Sequence, residues 1–376
     1  EKKVPLTQTG KAQAAISLGV EEIEKLRAAT RRTSQLANQL LALSRADARS
    51  LQDMLKKAFQ QGESSDDAIQ AKATAQLREE ASRAALLDIA RYPDGNGFDM
   101  KRALAAHYKV DAAQLVLGNG SNDVLELAGR TFLTPGTSGV YSQHAFAVYP
   151  LTVQAQGATH IQVPARDFGH DLDAMAAAVR DDTRILFVAN PNNPTGTFLS
   201  GEALRAFLAR VPRRVIVVLD EAYTEFLPDA DRYDSLSWLP AHPNLVVSRT
   251  FSKAFGLAGM RVGFAVAHPD VADLMNRVRQ PFNVNGVAQA GAIAALGDAD
   301  YLARSRKLNA DGMVQIVDGV TRLGLRHIPS RGNFVSVHVG NAGQVYGDLL
   351  RRGVIVRPVA GYGMPEWLRV SIGLPE

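Results

Sequence analysis

The sequence predicts an α/β protein: a three-layer, mostly parallel sheet, a smaller α/β domain after it, and a helical segment before it. Three observations point there. From Tyr92 onward, short β-rich runs alternate with amphipathic helical stretches. Each crossover between parallel strands lays a helix on the sheet, so this alternation describes a sheet covered on both faces. The run from Val215 to Leu219 is apolar throughout, as a central strand buried on both faces must be. The N-terminal part has another texture. Between Gly19 and Gly62 there is no proline or glycine, and Ile23, Leu26, Leu36, Leu40, Leu43, Leu51, Leu55 and Phe59 recur at helical spacing.

In chain order, strands are expected at Gln114–Leu117, Gly139–Ser142, His160–Val163, Arg184–Ala189, Arg214–Leu219, Leu245–Ser248 and Val262–Ala267. Helices are expected between several of them, for example Ser200–Val211 and Pro269–Arg279. The organisation expected is a helical segment over residues 1–85, a large domain over 86–280, and a small C-terminal domain over 281–376 that stops short. The apolar stripe of residues 11–80 is expected to pack on its own chain or on a twin, without supplying catalytic groups.

Composition narrows the function classes. The 376 residues are 46% hydrophobic, enough for a large core. Net charge is +4, a small excess without a dense basic run; it suits an anionic small molecule, and nucleic acid is not an expected partner. With no cysteine, disulfides and thiolate chemistry are excluded and a cytoplasmic location is the expectation. No apolar run approaches the ~20 residues that span a bilayer, so no membrane association is expected. The eight histidines are scattered without ligand spacing, so no metal is expected.

In parallel sheets, ligands gather at the C-terminal ends of strands, and there the polar residues cluster. Gly118-Asn119-Gly120-Ser121-Asn122-Asp123 follows the first strand and opens a helix; glycines admit a ligand to the backbone and free N–H groups suit an anion. Alone it is ordinary turn punctuation. Pro191-Asn192-Asn193-Pro194-Thr195-Gly196 is a rigid turn that can accommodate a cis prolyl bond and can aim an amide. Asp220-Glu221-Ala222-Tyr223 puts a carboxylate at the end of a buried strand, costly without a positive partner unless it merely caps a helix. Thr250-Phe251-Ser252-Lys253 with Arg261 beyond it offers hydroxyls and a guanidinium for a phosphate, and an amine for an aldehyde.

Taken in this order, the motifs resemble those of the fold-type I pyridoxal-phosphate aminotransferases. Arg91-Tyr92-Pro93-Asp94-Gly95, Arg357 and Leu368-Arg369-Val370-Ser371-Ile372-Gly373 extend the likeness to histidinol-phosphate aminotransferases, over roughly residues 86–376. The resemblance implies pyridoxal 5′-phosphate as cofactor and a transaminase that passes an amino group between a phosphorylated amine, histidinol phosphate, and 2-oxoglutarate or glutamate. By the same likeness Lys253 forms the Schiff base and moves the proton, Asp220 pairs with the ring nitrogen, Asn193 and Tyr223 meet the phenolic oxygen, and Asn193–Pro194 is cis so that the turn points Asn193 at the ring. Phe146 stacks on the ring. Ser121, Asn122, Thr250, Ser252 and Arg261 hold the phosphate. Tyr92 reaches the phosphate of a neighbouring subunit, which implies a homodimer with shared sites. Arg369 clamps a carboxylate and Arg357 a substrate phosphate. The Asn-Glu-Asn-Pro arm common in that family is absent from this sequence, where the helical residues 11–80 stand instead. Three other readings remain open: an aromatic aminotransferase, a threonine-phosphate decarboxylase, and a non-catalytic protein that interacts through its helical stripe.

Overall fold

The structure is a computed structural model that describes residue 79 and residues 81–373. The helical segment expected over residues 1–85 therefore lies outside the described residues as far as Arg78, as do the last three residues. Its closing part, residues 81–86, is helical.

Seven strands form the large sheet: β1 (Leu115–Gly118), β2 (Ser138–Ser142), β3 (Thr159–Val163), β4 (Thr183–Ala189), β5 (Ile216–Asp220), β6 (Leu245–Thr250) and β7 (Gly263–Ala267). Their spatial order is β1-β7-β6-β5-β4-β2-β3. All neighbours run parallel except β7, which is antiparallel to both β6 and β1. The cause lies between β6 and β7. That connection holds only turns and one 3-10 helix, Ala258–Met260, with no α-helix of the kind that usually carries a parallel crossover.

Side chains alternate across this sheet. Val217, Leu219, Leu245 and Val247 enter one apolar cluster with α1 (Phe98–Tyr108), α4 (Leu172–Ala177), α5 (Gly201–Arg210) and α7 (Gly286–Leu296). Ile216, Val218 and Val246 enter the other, with α2 (Ser121–Phe132), α3 (Val148–Ala155) and α6 (Pro269–Val278). The period of two thus sends Asp220 to the α2 face and Glu221 to the opposite one.

Local chemistry sets the helix starts. Asp171, Ser200 and Asn285 cap α4, α5 and α7 with side-chain oxygens, and Pro269 takes the first turn of α6, where its missing N–H costs nothing. By contrast, α2 begins after Gly120 with no side-chain cap, which leaves its first N–H groups free.

The long α8 (Ala299–Arg322) leads to a second sheet of four antiparallel strands, ordered β10-β11-β9-β8. These are β8 (His327–Ile328), β9 (Phe334–His338), β10 (Arg357–Pro358) and β11 (Trp367–Ser371), with α9 (Ala342–Arg351) between β9 and β10. Among the described residues no helix is long and apolar enough to cross a membrane.

Candidate active site

The ends of β4, β5 and β6 and the start of α2 meet in a cavity of about 220 Å³. Ser121, Asn122, Phe146, Asn193, Asp220, Tyr223, Thr250, Ser252, Lys253 and Arg261 all line it. Two carboxylate oxygens of Asp220 differ sharply. Oδ2 accepts a hydrogen bond from the Tyr149 hydroxyl at 2.9 Å, whereas Oδ1 is buried with no partner. Burial pushes the Asp220 carboxyl up to about 6, against the pull of Tyr149, of the Ala222 backbone N–H and of the Lys253 charge. A cationic ring nitrogen is the kind of group that would satisfy Oδ1.

Lys253 stands 5.2 Å over the Tyr223 ring. Burial first, and then the nearby Arg369 charge, hold its amine below the ordinary lysine range, so it loses its proton more readily than a surface lysine.

At the far end of the cavity the donors suit a phosphate. Arg261 Nη1 donates to Ser252 Oγ at 3.2 Å, and the Ser252 N–H donates to Thr250 Oγ1 at 3.2 Å. Gly120 has φ +78°, and a Cβ there would lie 2.4 Å from Arg261 Nη2. A side chain at residue 120 would push the guanidinium away from the uncapped start of α2, so the glycine lets the two lie together. Free helix N–H groups, hydroxyls and a guanidinium together form an anion cradle. On the ring-sized part between cradle and lysine, Phe146 stands edge-on to Tyr149 at 5.9 Å, and Tyr149 stacks on Phe187 at 4.8 Å.

The small sheet grips the cavity rim. Asn193–Pro194 is cis, as expected, and so is Asn190–Pro191. Arg369 donates to Asn193 Oδ1 and packs 4.9 Å over the Phe334 ring. Ser336 Oγ donates to Pro194 O at 2.7 Å. Arg357 does not line the cavity; it lies exposed on β10, directly opposite Arg369 of β11. Tyr92 is also outside the cavity, 82% exposed and stacked on Phe282. Tyr149 belongs to the site although its sequence gave no sign beyond standing one helical turn after Phe146. Among the described residues no cluster of His, Asp and Glu could hold a metal.

An amine of lowered proton affinity, a buried carboxylate with one oxygen unpartnered and an anion cradle in one cavity fit pyridoxal phosphate. Comparison with known proteins agrees. The family model for aminotransferase class I and II matches residues 57–376. The histidinol-phosphate aminotransferase of Methylobacillus flagellatus is 65% identical over 294 residues, 78% of this chain and 80% of that protein. Histidinol-phosphate aminotransferase 2 of Pseudomonas aeruginosa is 61% identical over 298 residues, 79% of this chain and 81% of that one. Among solved structures, the histidinol-phosphate aminotransferase of Sinorhizobium meliloti in complex with pyridoxal-5′-phosphate superposes with a TM-score of 0.75 at 32% identity, covering 78% of this chain and 82% of that one. Fold and site together define a pyridoxal-phosphate-dependent transaminase. The chain belongs to the class I and II aminotransferases, within the histidinol-phosphate aminotransferase family.

Proposed function

We propose that the enzyme transfers the amino group of histidinol phosphate to 2-oxoglutarate, yielding imidazole acetol phosphate and glutamate for histidine biosynthesis. The observation that supports this best is the unpaired, buried Asp220 Oδ1 in one cavity with Lys253 and the α2 cradle. When bound, pyridoxal phosphate supplies an aldehyde for amines and a ring that takes up the electron pair released at the substrate carbon. Lys253 Nζ, readily deprotonated, would take and return the proton of the substrate carbon. Asp220 holds the ring nitrogen charged, and Tyr149 keeps that carboxylate aimed. Asn193 and Tyr223 donate to the phenolic oxygen. Ser121, Asn122, Thr250, Ser252 and Arg261 would hold the phosphate, and Phe146 would lie against the ring.

Arg357 and Arg369, opposite each other on paired strands, recognise the anionic ends of the substrates. Residues directly opposite on an antiparallel pair share a face of the sheet, so a phosphate or carboxylate bound there can meet both guanidinium groups. Tyr92, exposed in its own chain, serves the site of a second subunit in a cytoplasmic homodimer.

The test is direct. The purified protein should be yellow and should turn over histidinol phosphate with 2-oxoglutarate. Borohydride reduction followed by peptide mapping should find the cofactor on Lys253, and Lys253→Ala should remain folded and inert. Label on another lysine sinks the assignment. Faster turnover of aromatic amino acids, or carbon dioxide release from threonine phosphate, would move the substrate to another member of the fold.

A further inference from the structure

The ends of β5 and β6 carry a second polar set, on the face of the sheet away from the cofactor cavity. Glu221 is fully buried. Arg249 donates to its Oε2 twice, from Nε at 3.0 Å and from Nη2 at 2.8 Å. The guanidinium also lies 5.1 Å over the Tyr108 ring. Tyr233 accepts from Asn190 Nδ2 at 2.9 Å and turns its hydroxyl toward Glu221. A second carboxylate, Glu225, has an Oε2 shut off from solvent and without a partner. One cation thus faces two carboxylates in a poorly solvated place, and burial raises Glu225 to about 7 in spite of the Arg249 charge. The other titratable groups around Glu225 are His107 and Tyr108 of α1, Arg232 and Tyr233 of the following loop, and Arg306 of α8. Arg232 and Arg306 are both paired with Asp229, at 3.2 and 2.9 Å.

Stability is a weak reason for such a pair, since burying two charges often costs as much as their attraction returns. Position is a better one. Asp220 and Glu221 are consecutive, so one stretch of backbone sends a carboxylate to each face. Glu221 N donates to Ser248 O at 2.9 Å, and the next residue of β6 is Arg249, whose own successor, Thr250, lines the cofactor cavity. We propose that Glu221 and Arg249 are positioning residues for the cofactor site: their pair locks the exits of β5 and β6 from behind, and the Glu221 charge bears on Asp220 across one residue of backbone. This rests on the assignment of Asp220 to the ring nitrogen. The Glu221 charge raises the proton affinity of Asp220, adding to the larger effect of burial. Removing that charge while keeping the acceptor should make Asp220 hold its charge to lower pH.

The experiment titrates pyridoxal phosphate into the full chain from acid to neutral pH, by absorbance, for the parent, Glu221→Gln, Glu225→Gln and Arg249→Lys, with the melting of each apoprotein alongside. In Glu221→Gln the acid limb of cofactor binding should move down by about half a pH unit or more. Glu225→Gln makes the same chemical change in the same cluster but should leave the limb in place, because Glu225 already holds its proton there. Arg249→Lys keeps the charge and loses the two-donor grip, so the cofactor dissociation constant at neutral pH should rise about tenfold. A Glu221→Gln limb that coincides with the parent, or one matched by Glu225→Gln, overturns the electrostatic part. Parent-like cofactor affinity in Arg249→Lys overturns the positioning part, and decides alone if Glu221→Gln does not fold. Failure of the parent to bind the cofactor would instead refute the assignment on which this rests.

Discussion

Asp220 is held at a disadvantage by its own fold. Its carboxyl sits at about 6, above the ordinary 3.8, chiefly through burial. The proton therefore binds the folded apoprotein better than the unfolded chain. That contribution is complete below pH 3.8 and is lost as pH rises through about 6, so above it the apoprotein bears a cost of up to about 3 kcal/mol. Asp220→Asn needs no proton. The apo variant should melt higher than the parent at neutral pH and show no advantage in acid, as differential scanning calorimetry would record. With cofactor present the order should reverse, and turnover should fall by roughly 3–4 kcal/mol of barrier. A loss of less than about tenfold at saturating cofactor would remove Asp220 from the ring nitrogen.

The other end of the cavity depends on how an element begins. Were α2 capped by a side chain, its N–H groups would be spent; Gly120 leaves them open and lets Arg261 approach. Gly120→Ala brings a Cβ against the guanidinium at a φ of +78°, a backbone state that costs an alanine about 1–3 kcal/mol. We expect pyridoxal phosphate to bind at least about tenfold more weakly in this variant, while pyridoxal, which lacks the phosphate, loses little. Equal losses for both ligands would show that the damage is not at the cradle. Much at this scale was legible. The seven β-rich runs became β1 to β7 with ends shifted by a residue or two, because buried strands are written as short apolar runs between turn residues. The direction of β7 was not legible, since an apolar strand reads the same both ways. Nor were β8 and β10, each only two residues long. Tyr149 escaped because a fully buried tyrosine beside Phe187 has the pattern of core; only its hydroxyl marks it as part of the site.

For the whole molecule, the cavity is lined by ten of the thirteen expected residues from one chain; Arg357, Arg369 and the exposed Tyr92 are not among its lining. If Tyr92 serves a twin subunit, two crippled proteins should repair each other. Lys253→Ala lacks the amine, and Tyr92→Phe lacks the hydroxyl. Hybrids that combine them contain one site with neither defect, so an equal mixture of separately inactive variants, refolded together, should recover about a quarter of parental activity. No recovery, or a fully active Tyr92→Phe, would mean that each site is complete within its own chain.

The pairing of β1 with β7 has a consequence in time. Leu115 lies against Val266 and Gly118 against Gly263, so the start of α2 can meet the Arg261 turn only after every other strand of the large sheet has been synthesised. Contacts between residues so distant in sequence form slowly, because a long loop must close before they are rewarded. A growing chain on the ribosome has no phosphate cradle until β7 has emerged and inserted between β1 and β6. The phosphate of the ligand can therefore settle only on chains whose first and last strands of the large sheet have met, and cofactor capture becomes a clock for that closure as well as a sign of catalytic readiness.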